Sequence, residues 1–182
     1  MVDITLPSGN GHNYVRWQID DHTSLDWDLN GQSECRTPGN LASYEGRSMT
    51  RQETLGYALT LRASQWESRG LWDSAVSDYR HAMKLYPQAP VSYNNFAWMI
   101  ATKEVSDRKT LQADAVAAAN HAVTIARKAN YLDTLACVYA LSGDFQHAIV
   151  YQSEAVAKDQ RNSAFQERLA LFRSQKDCTG AK

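Results

Sequence analysis

From Thr50 onward, apolar side chains recur three and four residues apart, the spacing that gives a helix one buried face. Glycine and proline interrupt this pattern almost only at Gly56, Gly70, Pro87, Pro90 and Gly143. The pattern predicts helices over about 51–68, 72–85, 90–102, 111–128, 130–141 and 145–158, with a further one over about 163–175. Thr50-Arg51-Gln52-Glu53 has the form of a capping box, in which hydroxyl and carboxylate each satisfy a free amide of the first turn. Ser163-x-x-Gln166 has the same form ahead of the last helix. Before residue 50 the period changes. Val15, Trp17 and Ile19, then Leu25, Trp27 and Leu29, fall at every second position, a strand period, and the polar Asp20-Asp21-His22 link reads as a hairpin. Turn formers surround it at Pro7–Gly11, Asn30-Gly31 and Thr37–Asn40. Two strands alone are a weak unit in water, so this hairpin needs something to pack on.

The helical part repeats itself. Trp66, Gly70, Ala75, Tyr79, Ala82 and Pro87 follow one another at offsets of 4, 5, 4, 3 and 5, and Tyr139, Gly143, Ala148, Gln152, Ala155 and Gln160 do the same. A middle copy runs through Phe96-Ala97, Ile100, Ala115, Ala119 and Ala122, with extra residues around Lys103–Thr110. Two antiparallel helices meet closely only where a residue as small as Ala75 or Ala148 lies between them. The aromatic residue fills the space beside it, and Gly70 and Gly143 allow positive φ where the first helix ends. Pro87 cannot continue the second helix.

These offsets resemble the tetratricopeptide repeat (TPR), a helix-turn-helix unit of about 34 residues. Ser92–Thr102, the charged insert and Ala129–Ala136 resemble, more closely, the C-terminal arrays of bacterial TPR proteins, over roughly residues 53–176. The resemblance implies a mostly α protein, an α-α superhelix of three TPR hairpins over 50–160. A capping helix and tail follow at 161–182, with the short β-hairpin appendage at 1–49. Glu167, Arg168, Arg173 and Lys176 supply the polar outer face that a terminal helix needs.

The resemblance also implies a concave face lined by the first helix of each pair: Tyr57, Thr60, Ser64 and Glu67, then Asn94, Trp98 and Ala101, then Asn130, Asp133, Cys137 and Ala140. TPR domains that grip the C-terminal carboxylate of chaperones use Lys and Arg there, and none of these positions is basic, so that ligand is not expected. A peptide or helix of a partner protein is, with Tyr57, Ser64, Asn94, Trp98 and Asp133 as binding residues and the two aromatics as anchors. Read without a ligand, Trp98 is a core residue, Asn94 a local cap and Asp133 a hydrogen-bond partner of its own helix start.

Charge narrows the partners. The 182 residues carry 19 Lys+Arg against 20 Asp+Glu, a net charge of −1, divided as −4 over residues 1–50 and +3 over the rest. Such a balance lacks the clustered cations that nucleic acid or anionic lipid requires. No apolar run approaches the roughly 18 residues of a membrane span, and the first residues lack a signal-peptide pattern. The expectation is a soluble, cytoplasmic chain in a reducing compartment. Cysteines at 35, 137 and 178 have neither a disulfide framework nor a metal-ligand spacing, and Cys137 reads as a small core residue. His81, His121 and His147 share no spacing and read as surface residues, so no metal or cofactor is expected.

One further resemblance lies in the hairpin. Gly11-His12-Asn13-Tyr14-Val15-Arg16-Trp17, followed by Leu25-Asp26-Trp27-Asp28, resembles the His and Asp strands of transglutaminase-like domains, some of which precede TPR repeats in bacteria. It implies His12 as general base and Asp28 as the group orienting its ring, with Asp26 a rival on the same face. The family's nucleophilic Cys lies upstream, only eleven residues precede His12, and Cys35 is wrongly placed. The alternative to an interaction scaffold is therefore the C-terminal part or a remnant of such a cysteine peptidase or acyltransferase lacking its nucleophile, and read without the resemblance His12 is a strand-edge histidine with no catalytic role. An exposed hairpin edge offers a route to a homodimer.

Overall fold

The structure, a computed structural model, describes residues 49–179 and, as backbone alone, the segments 2–5, 14–18 and 24–28. The chain divides into two compact units, Met1–Leu55 and Gly56–Lys182. In the first, strands β1 (Val2–Thr5), β2 (Tyr14–Gln18) and β3 (Ser24–Asp28) pair antiparallel in that order. The register sets Val15 against Trp27, Trp17 against Leu25 and Tyr14 against Asp28. The expected turn at Asp20–His22 lies outside the described residues, as does His12. At the end of this unit the first capping box forms as its sequence implies. The Thr50 amide donates to Glu53 Oε2 at 2.8 Å, and the Glu53 amide to Thr50 Oγ1 at 3.2 Å.

The helices are α1 (Arg51–Ser68), α2 (Trp72–Leu85), α3 (Pro90–Thr102), α4 (Arg108–Ile125), α5 (Ala129–Leu141), α6 (Phe145–Lys158) and α7 (Ser163–Arg173). The repeated alanines carry the packing. Ala75, Ala82, Ala115, Ala119, Ala122, Ala148 and Ala155 are all at most 1 % exposed, beside the fully buried Tyr79, Phe96, Leu132, Leu135 and Phe172. Contacts between successive units recur about one repeat apart. Thr60 shares a 2.7 Å hydroxyl bond with Ser92, and Arg80 pairs with Asp114 at 2.5 Å.

Three first helices end in one turn. The Leu71 amide donates to Trp66 O, that of Asp144 to Tyr139 O, both at 2.9 Å, and that of Lys176 to Leu171 O at 3.0 Å. These six-to-one bonds satisfy carbonyls the helix leaves open and need a residue at positive φ just before the donor. Gly70 (φ 71°) and Gly143 (φ 81°) fill that position as expected, while the third turn uses Gln175 (φ 55°).

Four expectations are corrected. The fourth helix starts and ends three residues early, at 108 and 125, because the Arg108 guanidinium folds back to cap α3, donating to the Ala101 carbonyl and, at 2.9 Å, to that of Ile100. Ala126, extended at φ −147°, then breaks the helix. Ser163 makes no capping box: Asn162 holds the cap position, and the Gln166 side chain instead donates through Nε2 to Gln160 O at 2.9 Å. Arg168 is not part of an outer polar face but turns inward. Cys137 is not an isolated core thiol, since it forms a disulfide with Cys178, the two Cα atoms 5.6 Å apart. Among the described residues no helix is long and apolar enough to cross a membrane.

Two glycines test different physics. A Cβ on Gly143 meets nothing within 4 Å, so only its backbone angle matters. Gly143→Ala is expected to cost about 1 kcal/mol and Gly143→Asn less, because Asn tolerates that region. A Cβ on Gly56 would stand 2.9 Å from Tyr86 Cβ and 3.1 Å from the Ala82 carbonyl. Gly56→Ala is expected to cost about 1–3 kcal/mol despite its better helix propensity. Urea midpoints of the variants check both, and a stabilised Gly56→Ala would contradict the close α1–α2 approach.

Candidate functional site

The first helices α1, α3 and α5 present the residues expected to line a groove, and α7 continues the row. At its open end Tyr57, Ser64 and Glu67 are half-buried. Ser64 Oγ lies 3.1 Å from the Tyr79 hydroxyl, which donates to Glu67 Oε2 at 3.1 Å. Burial pushes the Tyr79 hydroxyl up to about 12 and raises the Glu67 carboxyl above its ordinary value. Thr60 is not a groove residue. It sits buried between α1 and α3, donating to Gly56 O at 3.0 Å and bonded to Ser92.

On α3 the half-buried Trp98 lies below Asn94, which is only 9 % exposed. Asn94 Nδ2 donates to Asn95 Oδ1 at 3.3 Å, while the Asn94 side-chain oxygen has no partner. A buried acceptor left unpaired costs the desolvation of that group, so this oxygen has a use for a donor.

On α5 the row closes over. Asp133, 4 % exposed, accepts at one oxygen from Arg168 Nε at 2.6 Å and Gln152 Nε2 at 2.8 Å. Gln152 Nε2 also donates to Phe165 O at 3.0 Å. The Arg168 guanidinium lies 5.5 Å from the Trp98 ring centre and 5.6 Å from that of Phe165, within cation–π range of both. Burial raises the Asp133 carboxyl above its ordinary value, against the opposing pull of Arg168 and Gln152. One turn further, Cys137 is occupied by its disulfide, and Ala140 is buried.

The structure thus brings Tyr57, Ser64, Asn94, Trp98 and Asp133 onto neighbouring helices but leaves Asp133 already partnered. Asp28 is described only as backbone, so its pairing with His12 lies outside the described residues. A polar cluster that sequence reading missed joins α1 to α2. Asp78 takes Arg62 Nε at 2.7 Å, Arg62 Nη2 at 2.8 Å and Trp66 Nε1 at 2.9 Å. The Arg62 hydrogen bonds hold the Asp78 carboxyl below the usual aspartate range. Elsewhere a depression of about 700 Å³ opens among α2, α3 and α4, lined by Met83, Tyr93, Phe96 and His121 and bridged by Arg80–Asp114. Among the described residues no group of His, Cys, Asp and Glu could hold a metal ion.

No protein-family model matches the chain, and no curated protein sequence matches it. Solved structures do. The first TPR domain of human RPAP3 superposes with a TM-score of 0.60 at 17 % identity, covering 68 % of this chain and 93 % of that one. The Arabidopsis OM64 TPR domain gives 0.60 at 14 % identity, covering 68 % and 98 %. The TPR2B domain of yeast Sti1, in a complex with pHsp70, gives 0.58 at 17 % identity, covering 68 % and 99 %. The helical unit has the TPR fold.

The two buried aspartates are expected to pull acid stability in opposite directions. Asp78, lowered on folding, contributes stability above the ordinary aspartate value that is lost as pH falls through its lower folded value. Asp133, raised on folding, binds its proton more tightly in the folded state, so its contribution grows as pH falls. Urea unfolding across the acid range should therefore show a shallower loss of stability in Asp78→Asn and a steeper one in Asp133→Asn than in the parent chain. The same slope in all three would contradict the assignment.

Proposed function

We propose that this chain is a protein-interaction scaffold that holds an extended or helical segment of a partner protein against the face of α1 and α3. The observation that carries the reading is the unpaired, buried side-chain oxygen of Asn94 beside the half-buried Trp98. A peptide backbone supplies the N–H that this acceptor lacks, while an apolar side chain covers the indole. Tyr57 serves as a second aromatic anchor and Ser64 as a polar contact, one turn to either side of the buried Thr60. The likeness to TPR domains that have been solved with peptides supports a peptide ligand. One of them, the first TPR of Spaghetti (RPAP3), is bound to the Hsp90 peptide SRMEEVD.

The segment held here differs in charge from that acidic peptide. Positions 57, 60, 64, 67, 94, 98, 101, 130, 133, 137 and 140 contain no Lys or Arg. The guanidinium that reaches the row, Arg168, is already paired with Asp133. A segment with two glutamates and a terminal carboxylate would meet Glu67, on which Lys103 acts from outside these positions, whereas a neutral or basic segment with an aromatic or aliphatic side chain would meet no like charge there.

Peptides selected from a displayed random library on the full chain are expected to be poor in Asp and Glu. They should bind Trp98→Ala at least about tenfold more weakly, the size of one anchoring contact, with helical circular dichroism unchanged. Unchanged affinity in that variant, or selection of acidic peptides, would overturn the reading.

A further inference from the structure

Successive second helices meet differently at the two seams of this stack. Between α4 and α6 the chain fills the seam with its own rings. Tyr139 reaches in from α5, stacked at 5.6 Å on Tyr151 and at 5.1 Å on His147, and its hydroxyl accepts from Asn120 Nδ2 at 3.4 Å. Between α2 and α4 no such stack forms. The offsets that align Ala115, Ala119 and Ala122 with Ala148, Gln152 and Ala155 put Asp114 and Ala118 where His147 and Tyr151 stand. With a carboxylate and a methyl group in place of two rings, the seam is left as the depression of about 700 Å³ lined by Met83, Tyr93, Phe96, Ala118 and His121. That volume lies within the range of about 300–1,000 Å³ typical of small-molecule sites.

The lining is held in place by bonds among its own residues. The Tyr93 hydroxyl donates to Met83 O at 3.2 Å, and His121 Nε2 donates to Pro87 O at 3.1 Å. The Tyr93 and His121 rings lie 4.3 Å apart, and Arg80 of α2 pairs with Asp114 of α4 at 2.5 Å. A cavity fixed in this way takes a ligand without the cost of ordering the side chains that surround it.

Charge selects among the molecules that fit. The Arg80 guanidinium is already matched by Asp114. Lys84, one turn further along α2 and also lining the depression, has no carboxylate partner among the described residues. The lining therefore carries one cation in excess over an apolar and aromatic surface. We infer that this depression binds a small aromatic carboxylate, its ring in the place that Tyr151 takes at the next seam and its single negative charge on Lys84 Nζ. Trp98 does not line it, so the site is independent of the peptide face on α1 and α3.

Titration of 2-naphthoate into the isotope-labelled full chain is expected to shift the amides of α2 and α4 around Lys84 and Ala118, with a Kd below about 1 mM. No shift there at that concentration would overturn the site. Ala118→Tyr, which supplies the missing ring, should abolish binding while helical circular dichroism is retained. Lys84→Gln, at an exposed position that leaves the packing alone, should weaken naphthoate at least about threefold and leave the neutral 2-naphthamide unchanged. Equal binding of naphthoate by Lys84→Gln and the parent, or equal affinity of the parent for acid and amide, would overturn the assignment of the charge. Tighter binding of N-acetylphenylalaninamide than of naphthoate would make the depression a pocket for a partner's side chain and overturn the inference. Trp98→Ala should bind naphthoate as the parent does. Loss of binding in that variant would place the probe on the α1–α3 face, so the inference would fail and the groove would stand.

Discussion

Each helical pair in this chain meets across an alanine, and that small contact sets the terms for everything built on it. Ala75 and Ala148, fully buried, let the second helix of their units approach the first closely enough for aromatic residues to fill the flanking space. The approach is made at the chain reversal as well, where Gly70 and Gly143 let the six-to-one bond form without strain. A stack of such pairs leaves its first helices side by side. The position of that row is set by the alanine methyl groups buried within each pair.

Because this constraint is local and repeats, the sequence displays it. Alanines at fixed offsets, an aromatic-x3-Gly turn and a closing proline each follow from packing within one unit, and a short window is enough to read them. Helix limits set by side chains that fold back across a loop are a different matter. Arg108 starts α4 early by capping α3, an act that depends on where Ile100 and Ala101 lie and not on any pattern near residue 108. Asp78 looks like an ordinary helix-surface acid until α1 brings Arg62 and Trp66 against it. Arg168 passes for outer polarity because its own helix is charged, yet its partner Asp133 is 35 residues away.

The disulfide shows the same limit in a sharper form. Nothing in the spacing of Cys137 and Cys178 announces a pair, because the distance between them is spanned by a helix turn, α6, α7 and a reversal at Gln175. The one available sign was periodic: Leu171 and Gln175 stand in the relation of Trp66 to Gly70 and of Tyr139 to Gly143. A turn of that kind with glutamine at positive φ is costlier than with glycine. After that turn the chain places Cys178 against Cys137 in α5.

Asymmetry along the row of first helices follows from these particulars. At α1 and α3 the face carries half-buried aromatics and an acceptor without a donor; at α5 it carries a carboxylate already satisfied and a sulfur already bonded. Arg168 joins the two ends, its guanidinium over Trp98 and its Nε on Asp133. On the proposed reading, a ligand pressing on the indole would also disturb the cation that pairs with the most buried carboxylate of the row. On that reading such a ligand would feel α7 through Arg168 even without touching that helix, since the Asp133 charge must keep a partner in so dry a site.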